Sequence, residues 1–249
     1  MKRMLLTISY DGTAYHGWQV QQNAVTVHSV MCDALEQILK KRVAVTGTSR
    51  TDAGVHAKEF TCHFDCEDNI PPQAFLKGLN SVLPQDIAVT DCREVARDFH
   101  ARYDAVGKTY CYRIYNSADK DPFKARYSWQ IERPLDIDKM NEFAQKIVGK
   151  HDFYTFSSSG RSVEDTVRTI SECVVLKEGD NVNIYVTADG FLYNMVRIMV
   201  GTLLDINSGK IEKDSIKNII LSKNRNNAGI TAKAQGLYLN KVYYDNFDK

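Results

Sequence analysis

The sequence lacks an excess of charge of either sign. Among its 249 residues, 32 lysines and arginines face 31 aspartates and glutamates, which leaves a formal net charge of +1. Proteins that bind nucleic acids usually carry a clear basic excess. Any surface for a nucleic acid in this chain must therefore come from local grouping of basic residues, because the overall charge does not indicate one.

Long apolar runs are also absent, and none approaches the ~20 residues that a membrane-spanning helix needs. The N-terminal stretch MKRMLLTISYDG has neither the apolar length nor the small-residue cleavage site of a signal peptide. We therefore expect a cytoplasmic protein that does not enter a membrane. Hydrophobic residues make up 43% and charged residues 25% of the chain, as in ordinary globular proteins.

The six cysteines show no arrangement typical of a metal site or a disulfide framework. Only Cys62 and Cys66 lie close together, in a stretch whose alternating apolar residues predict a strand. On such a strand His63 points away from Cys62, and no second ligand pair has the right spacing. We predict reduced, buried thiols and no metal.

Strand and helix patterns alternate along the chain, and several strands are joined as hairpins. Helices are predicted within 26–41, 71–83, 136–149, 190–207 and 213–223, and a hairpin around EGDN at 178–181. This mixture favours the α+β class, with two similar α/β halves that share a mostly antiparallel sheet flanked by helices. The predicted halves are residues 1–104 and 105–249.

Asp52 is an acidic residue in an unusual setting, the stretch SRTDAGVH at 49–56. A Thr-Asp-Ala-Gly sequence can be a plain turn in which the aspartate caps the following amides. The stretch also contains Arg50 and His56, and this combination favours a functional carboxylate. Both interpretations stay open on the residues alone.

Arg197 lies in FLYNMVRIMVGTLL, a helical pattern that is apolar nearly all round and is therefore predicted to be buried. A buried arginine is costly unless it meets an anion. Its side chain could reach the helix edge and bind a backbone carbonyl or a remote carboxylate. It could also pair with Asp52, which would hold that carboxyl ionised.

Aromatic and basic residues alternate over 97–110, in RDFHARYDAVGKTY. Tyr110 could simply face the core, as strand aromatics usually do, or it could stack on a base. Arg97, Arg102 and Lys108 could bind a nucleic acid, although a solvated charged face is an alternative. Upstream, AYHGWQVQQN could expose Trp18 and its glutamines to RNA, or close the edge of a sheet.

Six stretches in order, over almost the whole chain, resemble the signature blocks of the TruA family, the type A tRNA pseudouridine synthases. They are YDGTAYHGWQVQ, SRTDAGVHA, FHARYDAVGKTYCYRIYN, HDFYTFSSSG followed by VRTI, DGFLYNMVRIMVGTLL and GLYL. The RTDAGVHA and FLYNMVR blocks are highly specific.

The resemblance implies an isomerase that converts uridine to pseudouridine in the anticodon stem-loop of tRNA, without a metal or organic cofactor. It implies a homodimer that holds RNA in basic clefts, and hence a central RNA-binding cleft in the fold. The family's essential aspartate falls on Asp52 and its arginine partner on Arg197. Its base-stacking tyrosine falls on Tyr110 and its hydrophobic pocket residue on Leu237, while Arg50 is expected to contact the substrate.

The chain departs from the common family pattern in three places: Ser49 for glycine, His28-Ser29 for Gln-Gly, and Lys233 for proline. The first leaves the shape of the aspartate turn open, and the last could alter the rim of the pocket. Two other functions are alternatives, an RNA-binding module without catalysis and a glycoside hydrolase. The latter usually needs a pair of carboxylates, and no second acid stands out near Asp52.

Overall fold

The computed structural model of the protein describes residues 1–67, 69–160, 163–212 and 215–245. Within these ranges strands and helices interleave, so the predicted α+β class is confirmed. The strands are β1 (Lys2–Tyr10), β2 (Val45–Gly47), β3 (His56–Cys66), β4 (Ile87–Val95), β5 (Ala105–Tyr115), β6 (Trp129–Gln130), β7 (Gly149–Asp152), β8 (Val167–Glu178), β9 (Asn181–Ala188) and β10 (Leu237–Tyr244). The helices are α1 (Val27–Leu39), α2 (Pro72–Val82), α3 (Ile137–Lys146), α4 (Met195–Asn207) and α5 (Ile216–Leu221).

The chain divides into two compact units. Unit 1 contains Met1–Val106 and Tyr238–Lys249, and unit 2 contains Gly107–Leu237. The first boundary lies close to the division predicted between residues 104 and 105. The last strand, however, groups almost entirely with the N-terminal part of the chain, whereas the predicted halves place it in the C-terminal one. Backbone pairing explains this, because β10 runs parallel to β3 with Tyr238 opposite His56.

In unit 1 the strand order is β4-β1-β3-β10, with β2 paired to the other end of β3. All pairs except β3 with β10 are antiparallel. Strand β3 is buried on both faces from Phe60 to Phe64, although its alternating pattern predicts one polar face. The polar residues of that face are covered because Tyr244 of β10 hydrogen-bonds Thr61 through its hydroxyl at 2.6 Å and donates to the Ala101 carbonyl.

Helix α1 confirms the amphipathic pattern predicted for residues 26–41. Thr26 and Ser29 form a reciprocal capping box at its start, and Lys40 ends it in a left-handed conformation. The residues that the helix buries in unit 1 are Val27, Met31, Cys32, Ala34, Leu35 and Leu39. Helix α2 begins with Pro72, as predicted. Proline has no amide hydrogen, and in the first turn of a helix this is no loss, because the amides there have no partner within the helix.

Unit 2 repeats the preference for antiparallel pairing, in the order β5-β9-β8-β7, with β6 parallel to β5. Strands β8 and β9 form the predicted hairpin, and Glu178 pairs with Asn181 across its turn. Helix α3 is tied to β8 by Asn141, whose side chain both donates to and accepts from the backbone of Val175. The units are therefore similar in architecture, as predicted.

Helix α4 is buried along almost its whole length, as its apolar sequence predicts. It begins only at Met195, because Asn194 adopts a left-handed conformation with φ of 61° and ends the helical pattern predicted from residue 190. Helix α5 is confirmed over Ile216–Leu221, while residues 213 and 214 of that prediction lie outside the described ranges. Within the described chain, no helix is long and apolar enough to cross a membrane.

All six cysteines are free and buried, which confirms the prediction of buried thiols. Burial raises the pKa of both Cys92 and Cys173 to about 12. These thiols are therefore protonated at neutral pH and behave as small apolar side chains.

His63 is a buried titratable group in unit 1, and its Nδ1 accepts a hydrogen bond of 3.1 Å from the Ala101 amide. Burial, with the nearby charges of Arg3 and His100, lowers the pKa of His63 to about 4. An unfolded histidine titrates near about 6.5. The neutral form of His63 therefore stabilises the folded state above that pH, and this contribution is lost as the pH falls from about 6.5 towards 4.

We predict that His63→Asn reduces the acid sensitivity of the fold. Asparagine offers an oxygen to the same amide but does not titrate in this range. Thermal melting at pH 7 and pH 5 should show a smaller loss of Tm in the variant than in the wild type. An equal loss in both proteins would show that His63 does not contribute to acid sensitivity.

Candidate active site

Asp52 lies in the connection between β2 and β3, in a turn whose ends are fixed by buried neighbours. Its side chain is half-buried, while Thr51 and Val55 are buried. The Val55 amide donates to the Asp52 carbonyl at 3.2 Å, and the Thr51 hydroxyl is 2.8 Å from that of Tyr10. The turn predicted from Asp and Gly is therefore present, and it holds the carboxylate at the start of a central strand.

The segment 12–18 is interlocked with this turn through backbone contacts. The Trp18 amide donates to the Thr51 carbonyl, and the Gly54 amide donates to the Tyr15 carbonyl, both at 3.2 Å. Gly17 has a φ of +79°, and a Cβ there would overlap the Thr51 carbonyl oxygen. A side chain at Gly12 would likewise overlap the carbonyl of Val55. These glycines are required because the two backbones touch.

His56 anchors the end of the Asp52 turn inside unit 1. Its Nδ1 accepts from the Gly12 amide at 3.1 Å, and the Asp11 carboxylate oxygen is 3.1 Å from the same nitrogen. The imidazole stacks on Tyr238 of β10, with ring centroids 4.6 Å apart and planes 21° apart. The strand start that follows Asp52 is thus fixed from two sides.

Trp18 does not form the exposed surface considered for AYHGWQVQQN, because only 4% of the side chain is accessible. Its ring lies 4.2 Å from that of Phe60 and packs over Gly47, where a Cβ would collide with it. The stretch therefore supports the Asp52 turn from within. Its glutamines at 19, 21 and 22 are exposed, as the sequence suggested.

Arg197 lies in the first turn of α4 and is half-buried. Its Nε donates to the Ala232 carbonyl at 2.7 Å, and one Nη donates to the Asn194 side-chain oxygen at 2.8 Å. Binding of a backbone carbonyl, one of the two alternatives for this arginine, is thus observed. The pairing with Asp52, which belongs to the other unit, stays a prediction.

The segment 229–237 orients the arginine and reaches β5 within unit 2. It crosses α4 closely, since a Cβ at Gly201 would overlap the Ile230 carbonyl. Farther along, the Lys233 carbonyl accepts from the Tyr112 hydroxyl at 2.7 Å, and Gly236 packs against the same ring. Because this segment binds both Arg197 and β5, it fixes Leu237 at its end.

Tyr110 and Leu237 are both buried, with 8% and 6% of their surfaces accessible. The Tyr110 ring meets Phe191 edge-on, with centroids 4.9 Å apart and planes at 80°. Tyr110 lies two residues before Tyr112 and therefore on the same face of β5. Burial raises the pKa of Tyr112 above its usual range, against the opposing charge of Arg197.

The predicted basic residues differ in exposure. Arg50 and Arg97 are exposed, whereas Arg102 and Lys108 are half-buried. Arg97 is held by a hydrogen bond of 2.8 Å from its Nε to the Met1 carbonyl. Unit 1 contains Asp52, Arg50, Arg97 and Arg102, and unit 2 contains Tyr110, Arg197, Leu237 and Lys108.

The three departures from the common TruA pattern fit the backbone around them. Ser49 is not among the described non-glycine residues with positive φ, so its backbone conformation does not require glycine. His28 contacts the Val45 carbonyl through Nε2 at 2.9 Å, and Ser29 completes the cap of α1. Lys233 has a φ of −62°, the angle that proline would impose, and its side chain is exposed.

The family pattern described as tRNA pseudouridine synthase matches residues 6–104 and 143–245, which include most of the elements described above. The chain belongs to the tRNA pseudouridine synthase family. The resemblance drawn from the signature blocks is thereby confirmed, and the protein is an isomerase of the class that forms pseudouridine in tRNA.

Named relatives of the family match the chain over nearly its full length. The chain is 45% identical over 244 residues to tRNA pseudouridine synthase A 2 of Clostridium perfringens, covering 98% of this chain and 100% of that one. It is 46% identical to tRNA pseudouridine synthase A of Clostridium acetobutylicum, with the same coverage. The enzyme of that name from Staphylococcus aureus is 43% identical, covering 98% of this chain and 92% of its own.

Several residues that hold the candidate site were not identified from the sequence. Gly12 and Gly17 lie in a stretch interpreted only as a turn and a surface, and Asn194 was placed inside a helix. Their signal is glycine, or asparagine, next to a predicted strand or helix end, where positive φ or close backbone approach is common. Ala232 gave no signal, because it contributes only its backbone.

We predict that Gly17→Ala destabilises the pseudouridine synthase by about 3 kcal/mol and lowers its turnover, since the methyl group forces the segment 12–18 away from the Asp52 turn. Gly179→Ala is the matched control. Gly179 also has positive φ, but no atom lies within 4 Å of an added Cβ. The control should lose only about 1 kcal/mol. Urea unfolding and initial rates would test this. Equal losses of stability and rate in the two variants would show that the contact between the segment 12–18 and the Asp52 turn does not support the site.

Proposed function

We propose that this pseudouridine synthase isomerises uridines in the anticodon stem-loop of tRNA with Asp52 as its catalytic carboxylate. The observation that carries the proposal is the setting of Asp52. It is a half-buried acid at the start of a central strand, in a turn held by two backbone hydrogen bonds and two glycine contacts. A fixed carboxylate is what a reaction at a single sugar carbon needs.

The reaction breaks the bond between N1 of uracil and C1′ of the ribose and joins C5 to C1′. The C5 proton is lost and N1 gains one, so substrate and product have the same composition. Cleavage at C1′ develops positive charge, as in glycoside hydrolysis. Asp52 can stabilise that charge, add covalently to the sugar, or remove a proton from it.

Arg197 is proposed to keep the catalytic carboxylate ionised and oriented. Its guanidinium has five N–H donors, and the bonds to the Ala232 carbonyl and the Asn194 side chain fix its plane. A guanidinium held in this way can present further N–H groups to a carboxylate without new ordering cost. The proposal thus gives Arg197 the role of a positioning residue.

Tyr110 is proposed to stack on the target uracil, and Leu237 to line the pocket beside it. Their burial and the contacts of the segment 229–237 keep both side chains in place within unit 2. The target base must leave the stack of the RNA, and loop bases near an anticodon are cheap to extrude. A preformed aromatic surface compensates for the stacking that the base loses.

Arg50, Arg97, Arg102 and Lys108 are proposed to contact tRNA phosphates in a central cleft. Cationic side chains that are exposed, as Arg50 and Arg97 are, or half-buried, as Arg102 and Lys108 are, suit this role, because phosphate contacts release counterions and supply much of the affinity. The enzyme is further proposed to act as a cytoplasmic homodimer without a cofactor, as the family resemblance implies.

We predict that Asp52→Asn lowers the release of tritium from C5-labelled uridine in tRNA by at least about a thousandfold, as for other groups that act on reacting atoms. Binding of tRNA should be retained, because asparagine keeps the shape of the side chain. Asp91→Asn, a half-buried aspartate on β4, is the control and should remain active.

Tritium release by Asp52→Asn at the wild-type rate would refute the assignment of the carboxylate. If the wild-type protein bound tRNA but released no tritium from it, the protein would be an RNA-binding module instead. Release of free uracil would indicate a glycoside hydrolase.

A further inference from the structure

Tyr103 is a large aromatic residue that the proposed reaction leaves without a role. It lies in the turn between β4 and β5, in the stretch FHARYD at 99–104, and 75% of its surface is exposed. Most tyrosines of the chain are far less accessible, and Tyr110 in particular is buried. An aromatic ring left open to solvent beside basic residues is a feature of surfaces that bind unpaired bases.

The exposed ring is the outer member of a column of three rings in unit 1. His63 is buried against the sheet, and His100 meets it edge-on with centroids 5.1 Å apart. Tyr103 lies over His100 at 4.2 Å, with the ring planes 32° apart. The column therefore connects an open aromatic surface to the core.

Hydrogen bonds fix the ring of His100 under Tyr103. Its Nδ1 accepts from the amides of both Arg102 and Tyr103 at 3.2 Å, and its own amide donates to the Asp104 carboxylate at 2.8 Å. At the inner end, His63 accepts from the Ala101 amide. The stack is thus preorganised, and a partner that adds to it need not order the turn first.

The charge around the ring suits a nucleotide. The guanidinium carbon of Arg102 lies 5.8 Å from the centroid of Tyr103, and Arg97, just before this stretch, is exposed. Two carboxylates are also present. Asp104 accepts a hydrogen bond from the His100 amide, and Asp98 is exposed, so that water screens its charge. A base stacked on Tyr103 would place its phosphates near the edge of the ring, where the Arg102 guanidinium lies.

We propose that His100 and Tyr103 form a stacking platform for an unpaired nucleobase of the tRNA, other than the uridine that is isomerised. The inference rests on the proposed function, since it takes tRNA as the partner and Tyr110 as the residue that receives the target base. Besides the contact of Tyr110 in unit 2, the platform gives the tRNA an aromatic contact in unit 1. It also explains why a tyrosine that packs on His100 remains exposed.

The test compares Tyr103→Leu with Tyr103→Phe. Leucine keeps the apolar bulk but removes the π-face, whereas phenylalanine keeps the ring. Affinity for a fluorescently labelled tRNA transcript is measured at one fixed salt concentration, together with affinity for a blunt RNA duplex that has no unpaired base. Because stacking of one base contributes about 1–3 kcal/mol, Tyr103→Leu should weaken tRNA binding about tenfold. Tyr103→Phe should stay within about twofold, and duplex binding should change in neither variant.

Wild-type affinity of Tyr103→Leu for tRNA would overturn the proposal, and so would an equal loss for tRNA and duplex, which would indicate a phosphate contact. A change in oligomeric state with unaltered tRNA binding would show that the ring covers a second copy of the chain. These outcomes concern binding alone. Failure of the proposed function would instead appear as wild-type protein that binds no tRNA or releases no tritium.

Discussion

The candidate site depends on the close contact between two backbone segments of unit 1. The segment 12–18 and the turn 49–55 exchange amide–carbonyl hydrogen bonds through Trp18 and Gly54, and they approach so closely that Gly12 and Gly17 cannot carry a side chain. Hydrogen bonds that are buried in this way are expensive to break without a replacement. The contact turns a loop with common turn residues into a rigid holder for Asp52.

A similar device operates in unit 2. There the segment 229–237 crosses α4 at Gly201, accepts the Arg197 side chain on the Ala232 carbonyl, and accepts the Tyr112 hydroxyl on the next carbonyl. In both units a glycine-containing segment binds through its backbone and fixes side chains on a neighbouring turn, helix or strand. Such preorganisation is what a pseudouridine synthase needs, because its catalysis depends on placing few groups accurately.

The parts of the fold that follow local rules were predictable. Helix α1 has its capping box and apolar face, the β8–β9 hairpin follows from EGDN, and the cysteines are buried and reduced. Family membership was also accessible, because the signature blocks are specific. Arg197 stands out in the sequence because an arginine in an apolar helix needs partners, and one of the two alternatives for those partners, a backbone carbonyl, is observed.

The errors arose where tertiary contacts override local pattern. Trp18 reads as a surface residue because polar residues follow it, yet a remote strand supplies Phe60 as its partner. The polar face of β3 is buried because β10, distant in sequence, covers it. The start of α4 depends on one left-handed residue, Asn194, which an apolar periodicity does not reveal. Contacts made by backbone atoms alone, such as that of the Ala232 carbonyl, cannot be predicted from the residue type, because any residue has the same backbone carbonyl.

Hydrogen exchange at the amides of Trp18 and Gly54 tests most directly whether the segment 12–18 and the turn 49–55 hold each other in place. If the two segments hold each other as described, both amides exchange slowly, at rates comparable with the paired amides of β3. Exchange as fast as that of the open turn at Gly179 would contradict the account, because the Asp52 turn would then lack its support.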